Sequence, residues 1–354
     1  MNFAELLTHL LQKGASDIHF HAGMPVLARL EGQLQSVGGR KLKPENTASL
    51  VDQLCTPQQK ARLEVYRQVD LAYSLPGVAR LRVNIFYQRG SVSVVFQTIG
   101  PQETSLRQVN LSEEYLRYFR DLDKGLVLVA GPRGSGKSTT LARLVDEINQ
   151  RHAKLILTVE DPIEYLHRSK KSAVVQREIG SDAVSFEKAL LSTQRQGPDV
   201  IVIGEIRDSS TASVALSAAQ NGHLVLSTLT APDSLQAINL LLELFPAEER
   251  GAQRVLLADS LAGIMAQRLI PSKAGDRVAV MEVVQMTAHL RDMLKHPEQN
   301  KRLHDLLRDP DAVGNQTFDG HLLELYRGGQ VDHQTAMLNA LDLARFEAEA
   351  QNPL

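Results

Sequence analysis

The string AGPRGSGKSTT, residues 130–140, constrains this chain more than any other stretch. It contains G-x-x-x-x-G-K-S, with Gly131, Gly136, Lys137 and Ser138 at the invariant positions of the pattern. Such a string works as a loop between a strand and a helix, because its backbone N–H groups must converge on phosphate oxygens while the positive helix start faces them. The flanks agree. LVLVA (126–130) reads as a strand buried on both faces, and STTLARLVDEIN places Leu141, Leu144, Val145 and Ile148 on one helical stripe. The candidate nucleotide contacts are therefore Gly131, Arg133, Gly134, Ser135, Gly136, Lys137, Ser138 and Thr139. Lys137 would reach the β- and γ-phosphates, and Ser138 would ligate Mg²⁺ through its hydroxyl.

The same rhythm continues downstream. KLILTVE (154–160), DVIVIGE (199–205) and HLVLSTL (223–229) are further short apolar runs, separated by helical patterns. The alternation predicts an α/β core around a parallel sheet. One of these strands runs into Gly204, Glu205, Ile206, Arg207 and Asp208. A carboxylate at the tip of a strand neighbouring a phosphate loop is placed to polarise an attacking water, which makes Glu205 the candidate. VEDPIEY (159–165) clusters Glu160, Asp161 and Glu164 around Pro162. The cluster suits a metal's water shell and an exposed turn alike, and spacing does not separate the two. His223 stands at a strand start, where a lone histidine is more often structural than catalytic.

Before the phosphate loop the periodicity differs. FAELLTHLLQKG puts Phe3, Leu6, Leu7 and Leu10 at helical spacing with Gly14 as a stop. PVLARLEG, RLRVNIFYQ and SVSVVFQTI read as strands, the last two joined by Arg89-Gly90 as a hairpin. In RLRVNIF, Leu81, Val83 and Ile85 share one face, and Arg80, Arg82 and Asn84 share the other. That polar face suits either solvent or a phosphate. Periodicity lapses over 100–110, where a linker is expected, and beyond about residue 234 the pattern is mostly helical, with SLQAINLLLELF and RVLLADSLAGIMAQRL as the clearest cases.

Composition narrows the function. Lys and Arg number 39 against 41 Asp and Glu, a net charge of −2, so no basic excess argues for nucleic acid. The single cysteine, Cys55, supports neither a disulfide framework nor a cysteine zinc site and fits a reducing cytoplasm. The first residues do not read as a signal peptide, and no stretch approaches the ~20 apolar residues of a transmembrane segment.

Taken in order, GPRGSGKST, EDPIEY, VIGEIRD and GHLVLSTL resemble the secretion ATPase superfamily, and within it the type IV pilus twitching-motility retraction ATPases, the PilT/PilU-like branch. GASDIHFHAGMPVLARLEGQL, VARLRVNIFYQRG, LFPAEER and AQRLIP extend the resemblance over nearly the whole chain. It implies a P-loop RecA-like α/β core, a PAS-like α+β N-terminal domain and a helical C-terminal region, with boundaries expected at 1–100, a linker at 101–112, 113–280 and 281–354. It implies ATP with Mg²⁺ and a cytoplasmic homohexamer, peripheral at the inner-membrane pilus base. Its partners would be a pilus platform protein and a second, paralogous ATPase. Glu205 would be the Walker B glutamate; Glu160, Asp161 and Glu164 the Asp box, Asp161 acting on Mg²⁺ through water; His223 part of the His box. Arg80, Arg82, Arg195 and Arg207 match arginines that approach phosphates or a neighbouring subunit.

Three departures stand out. Thr230 occupies the place of a second His-box histidine, AHLRDMLKHPE (288–298) only loosely matches the segment tied to retraction, and the tetracysteine module of the assembly ATPases is absent. The expected activity is an ATP-driven motor for pilus retraction; an accessory PilU-like motor, another pilus or secretion ATPase, and a weakly hydrolysing ring scaffold are the alternatives.

Overall fold

The structure, a computed structural model, describes residues 3–30, 32–75, 78–99, 109–299, 305–306 and 315–351. The chain forms two compact units. The first takes Met1–Ser105 with two short later pieces, Asp161–Leu166 and Glu178–Asp182, and the second takes the remainder. Of the linker expected at 101–112, only 109–112 lie among the described residues.

In the first unit the chain runs α1 (Phe3–Gln12), β1 (Asp17–His21), β2 (Val26–Leu30), β3 (Gln33–Val37), α2 (Pro44–Leu54), α3 (Pro57–Tyr66), β4 (Gln68–Leu75), β5 (Ala79–Gln88) and β6 (Ser91–Ile99). The six strands form one sheet in the order β3-β2-β1-β6-β5-β4, with every neighbour pair antiparallel. The β5–β6 turn has positive φ at both central residues, 49° at Arg89 and 77° at Gly90, the twist that matches a two-residue hairpin. Leu81, Val83 and Ile85 are fully buried beneath α1, whose Leu7 and Leu10 enter the same core. Phe3 packs edge-on to Phe20 and tilted against Phe96. The period-2 pattern thus delivers one apolar face to the helix and leaves Arg80 and Arg82 on the other.

The second unit opens with α4 (Glu113–Arg120), capped by the Ser112 hydroxyl. Then follow β7 (Gly125–Ala130), α5 (Lys137–Arg151), β8 (Leu155–Glu160), β9 (Ala173–Glu178), α6 (Phe186–Thr193), β10 (Val200–Ile203), α7 (Ser209–Gln220), β11 (Leu224–Leu229), α8 (Ser234–Glu243), α9 (Arg250–Ser260), β12 (Leu261–Pro271) and β13 (Arg277–Gln285). Its sheet has the order β13-β12-β7-β11-β10-β8-β9. The run from β12 through β7, β11 and β10 to β8 is parallel, and β13 pairs antiparallel with β12. Every residue of β7, β10 and β11 is buried, as strands covered on both faces require. The stripe of α5 (Leu141, Leu144, Val145, Ile148) packs into the core shared with Val127 and Val129.

One sequence reading is corrected. RVLLADSLAGIMAQRL is not one helix: α9 ends at Ser260, and the remainder is β12. A strand buried on both faces has no polar stripe, so its apolar spacing also fits a helix, and only the neighbouring strands decide. Gly263 marks the true state. A Cβ there would lie 2.5 Å from the Val284 carbonyl oxygen and 2.6 Å from the Phe119 ring. Beyond β13 the described chain is helical: α10 (Ala288–Lys295), α11 (Phe318–Arg327), α12 (His333–Asn339) and α13 (Leu343–Gln351). Phe318, Leu322, Leu325, Val331 and Phe346 form a core with Ile270 and Val280 of the β12–β13 pair.

Candidate active site

Parallel strands bring their C-terminal ends to a single sheet edge, and register aligns those ends here. Ala130 pairs with Leu229, and Val159 with Ile203. The residues that follow β7, β10 and β11, together with the last residue of β8, therefore meet: the glycine loop, Glu205, Thr230 and Glu160. This is the edge at which open α/β sheets bind ligands.

The loop from Gly131 to Gly136 leads directly into α5. Gly131 has φ 156° and sits so close to its surroundings that a Cβ would lie 2.5 Å from the Gln267 carbonyl oxygen. Gly136 is the N-cap of α5 at φ 89°, a left-handed conformation that a side chain would strain. Lys137 Nζ donates to the carbonyl oxygens of Gly131 and Pro132 at 2.8 and 3.0 Å, so the ammonium lies over the mouth of the loop. Gln267 of β12 braces it from beneath: its amide donates to the Ser135 carbonyl at 2.6 Å and accepts from the Thr140 hydroxyl at 2.7 Å. Ser135 Oγ, buried against this loop, has no hydrogen-bond partner among the described residues. A cradle that excludes side chains, an unsatisfied hydroxyl, an ammonium and a helix start form a donor set that fits a polyphosphate.

Glu205 follows β10 after Gly204. Thr230 Oγ1 donates to its Oε1 at 2.6 Å, and Arg207 Nε to its Oε2 at 2.7 Å. Burial raises the Glu205 pKa, but the hydrogen bonds from Thr230 and Arg207 and the charges of Arg207 and Lys137 outweigh it. The net effect lies below the usual glutamate value, so the carboxylate is ionised at neutral pH. Glu160 closes β8, accepting from Thr158 Oγ1 at 2.6 Å and Gln176 Nε2 at 3.1 Å.

The remaining candidates are placed differently. Asp161 and Glu164 belong to the first unit, where the segment 161–166 is bound to β5. Arg80 donates to the Ile163 carbonyl at 2.7 Å and to Glu178 Oε2 at 2.8 Å, and Arg82 pairs with Glu164. Both arginines of the polar face thus hold carboxylates of their own unit. His223 lies at the other end of β11 from Thr230, roughly 20 Å along the strand, and its Nδ1 meets the Ala218 carbonyl at 3.0 Å. It is not brought to the P-loop edge of this chain. Arg133 and Arg195 are exposed. Gln267, Thr140 and Glu178 escaped the sequence reading. Their partners lie 15 to 132 positions away, and nothing local announces such pairings.

A phosphate cradle at a strand-to-helix turn, with an ionised carboxylate on the strand two places along the sheet, defines a P-loop nucleoside-triphosphatase core. Comparison with known proteins narrows the class. The family model described as type II/IV secretion system protein matches residues 2–276. The type IV pilus retraction ATPase PilT of Pseudomonas aeruginosa is 36% identical over 336 residues, covering 95% of this chain and 97% of that one. The type IV pilus ATPase PilU of the same organism is 36% identical over 341 residues, covering 96% and 89%. A crystal structure of the pilus retraction motor PilT with bound ADP superposes with a TM-score of 0.87 at 35% identity, covering 98% of this chain and 99% of that one. The chain belongs to the type II/IV secretion system protein family, and it is a homologue of the PilT retraction ATPase.

Proposed function

We propose that this chain is a hexameric ATPase motor that drives type IV pilus retraction. The observation that carries this reading is the pairing of an intact phosphate cradle with an ionised Glu205 on one sheet edge, within reach of the Lys137 charge. ATP is the substrate. The loop N–H groups and Lys137 hold its phosphates, and Ser138 would ligate Mg²⁺, which neutralises phosphate charge when bound. Glu205 accepts a hydrogen bond from the attacking water and orients it toward the γ-phosphorus. Gln267 keeps the loop backbone in the conformation that presents its donors.

The task follows from the likeness to PilT over nearly the full length of both chains. Turnover in a homohexamer would be converted into extraction of pilin subunits at the inner-membrane base, against a platform protein in the membrane. Among the described residues no helix is long and apolar enough to cross a membrane. The proposed place of the motor is the cytoplasmic face of the pilus base. Arg80, Arg82, Arg195 and Arg207 are proposed as the residues that couple phosphate loss to subunit motion. Equal identity to PilU supports a second reading, an accessory motor that works with a paralogous ATPase.

The test is steady-state ATP hydrolysis by the purified chain, with its mass in solution, against Glu205→Gln and Thr230→His. Hydrolysis by a hexamer that Glu205→Gln abolishes supports the motor. An inert wild type restored by Thr230→His points instead to a weakened ring subunit. Complementation of a strain lacking its retraction ATPase then separates an independent motor from an accessory one.

A further inference from the structure

Three hydroxyls at the end of β11 are aligned with the end of β10. Ser227 Oγ donates to the Ile203 carbonyl at 2.9 Å, and Thr228 Oγ1 to the Gly204 carbonyl at 2.7 Å. The Ile206 amide returns a bond to the Thr228 carbonyl at 3.1 Å. These bonds pin the backbone on both sides of Glu205. The next hydroxyl in the row belongs to Thr230, and it reaches the carboxylate itself, at 2.6 Å from Oε1.

The other oxygen is held by Arg207, whose side chain is 60% exposed. A solvent-exposed ion pair on a long side chain orders a carboxylate weakly. Thr230 is exposed as well, but its short side chain, fixed to the sheet edge, has only one stiff torsion to lose and so orders the carboxylate better. The charged groups that face Glu205 are Arg207 and Lys137. A carboxylate oxygen keeps acceptor capacity after one such bond, and the threonine hydroxyl keeps its own lone pairs after donating. Glu205 held this way remains free to accept from water.

We infer that Thr230 is a positioning residue for ATP hydrolysis, its hydroxyl holding the Glu205 carboxylate in the orientation from which it aligns the attacking water. This rests on the reading of Glu205 given above. A non-titrating donor does this work at any pH at which the glutamate is ionised.

The test compares Thr230→Val, which keeps the shape and deletes the hydroxyl, with Thr230→Ser, which keeps the hydroxyl. Thr230→Val is expected to lower kcat about 10- to 100-fold while ATP affinity, read with a fluorescent ATP analogue, stays within about twofold. Its acid limb of kcat should move to higher pH, because a hydrogen bond to the ionised form has been lost. Thr230→Ser should recover kcat to within about threefold and restore the limb. If Glu205→Gln hydrolyses ATP like wild type, the reading of the site fails and this inference fails with it. If Glu205→Gln is inactive but Thr230→Val matches wild type, the inference alone fails. A Thr230→Val defect that serine does not rescue, or that leaves the acid limb in place, assigns Thr230 to packing and overturns it.

Discussion

Arg80 and Glu178 show what a single pair can decide. Their side chains are only 15% and 11% exposed, and Glu178 also accepts the Ile163 amide at 3.1 Å. Deleting one partner of a buried pair strands the other charge and costs about 3–5 kcal/mol. Glu178→Ala should therefore lower the unfolding free energy of the first unit by about 3 kcal/mol, read by urea denaturation. The Arg80→Ala, Glu178→Ala double variant should lose less than the sum of the single losses. A loss below about 1 kcal/mol would show the pair to be solvated. Arg80 was legible as a polar-face residue of a half-buried strand, but its partner was not. Glu178 is 98 positions away, and sequence spacing carries no information about pairs that only the fold assembles.

Among the elements, the edge strand β13 has its outer hydrogen-bonding groups covered by the helical C-terminal region. Gln316 exchanges backbone bonds with Val283, and its side-chain amide donates to the Met281 carbonyl. His321 of α11 accepts the Met281 amide through Nδ1 at 3.0 Å. Covering an edge in this way removes a template for unwanted pairing. His321 is 6% exposed, and burial pushes its pKa down from 6.5 to about 4. Between those values the unfolded chain binds the proton and the folded chain does not. Stability is thus complete above pH 6.5 and declines as pH falls toward 4. The gap implies a loss of about 2 kcal/mol between pH 7 and pH 5 from this one group. His321→Gln, which cannot titrate, should show a loss that much smaller over the same interval in urea melts. An unchanged pH dependence would refute the assignment.

For the whole molecule, ligand linkage is the direct probe. A site that binds ATP only when folded raises stability by RT ln(1 + [L]/Kd), about 2.7 kcal/mol at one hundred times Kd. ATP should raise the melting temperature of the wild-type chain, and Lys137→Ala should abolish most of the increase. An equal shift in the variant would place nucleotide binding elsewhere. Duplex DNA should leave hydrolysis unchanged, since a net charge of −2 carries no basic excess to favour nucleic acid.

The phosphate loop, the α5 stripe, the four buried parallel strands and the β5–β6 hairpin were all legible in the chain itself. Each depends on residues within a few positions of one another: glycines that alone tolerate a turn, apolar spacing that selects a face, a carboxylate at a strand end. Tertiary structure decided what depends on distant neighbours. β12 became a strand because β7 and β13 offered it hydrogen bonds on both sides, although its apolar spacing also suits a helix. The direction of β11 put Thr230 at the loop edge and His223 at the opposite one. Gln267 came under the loop, and Thr230 onto Glu205, because parallel register aligned strands far apart in the chain. Local pattern specifies an element, while the energy that joins elements comes from contacts whose partners a linear reading leaves unpaired.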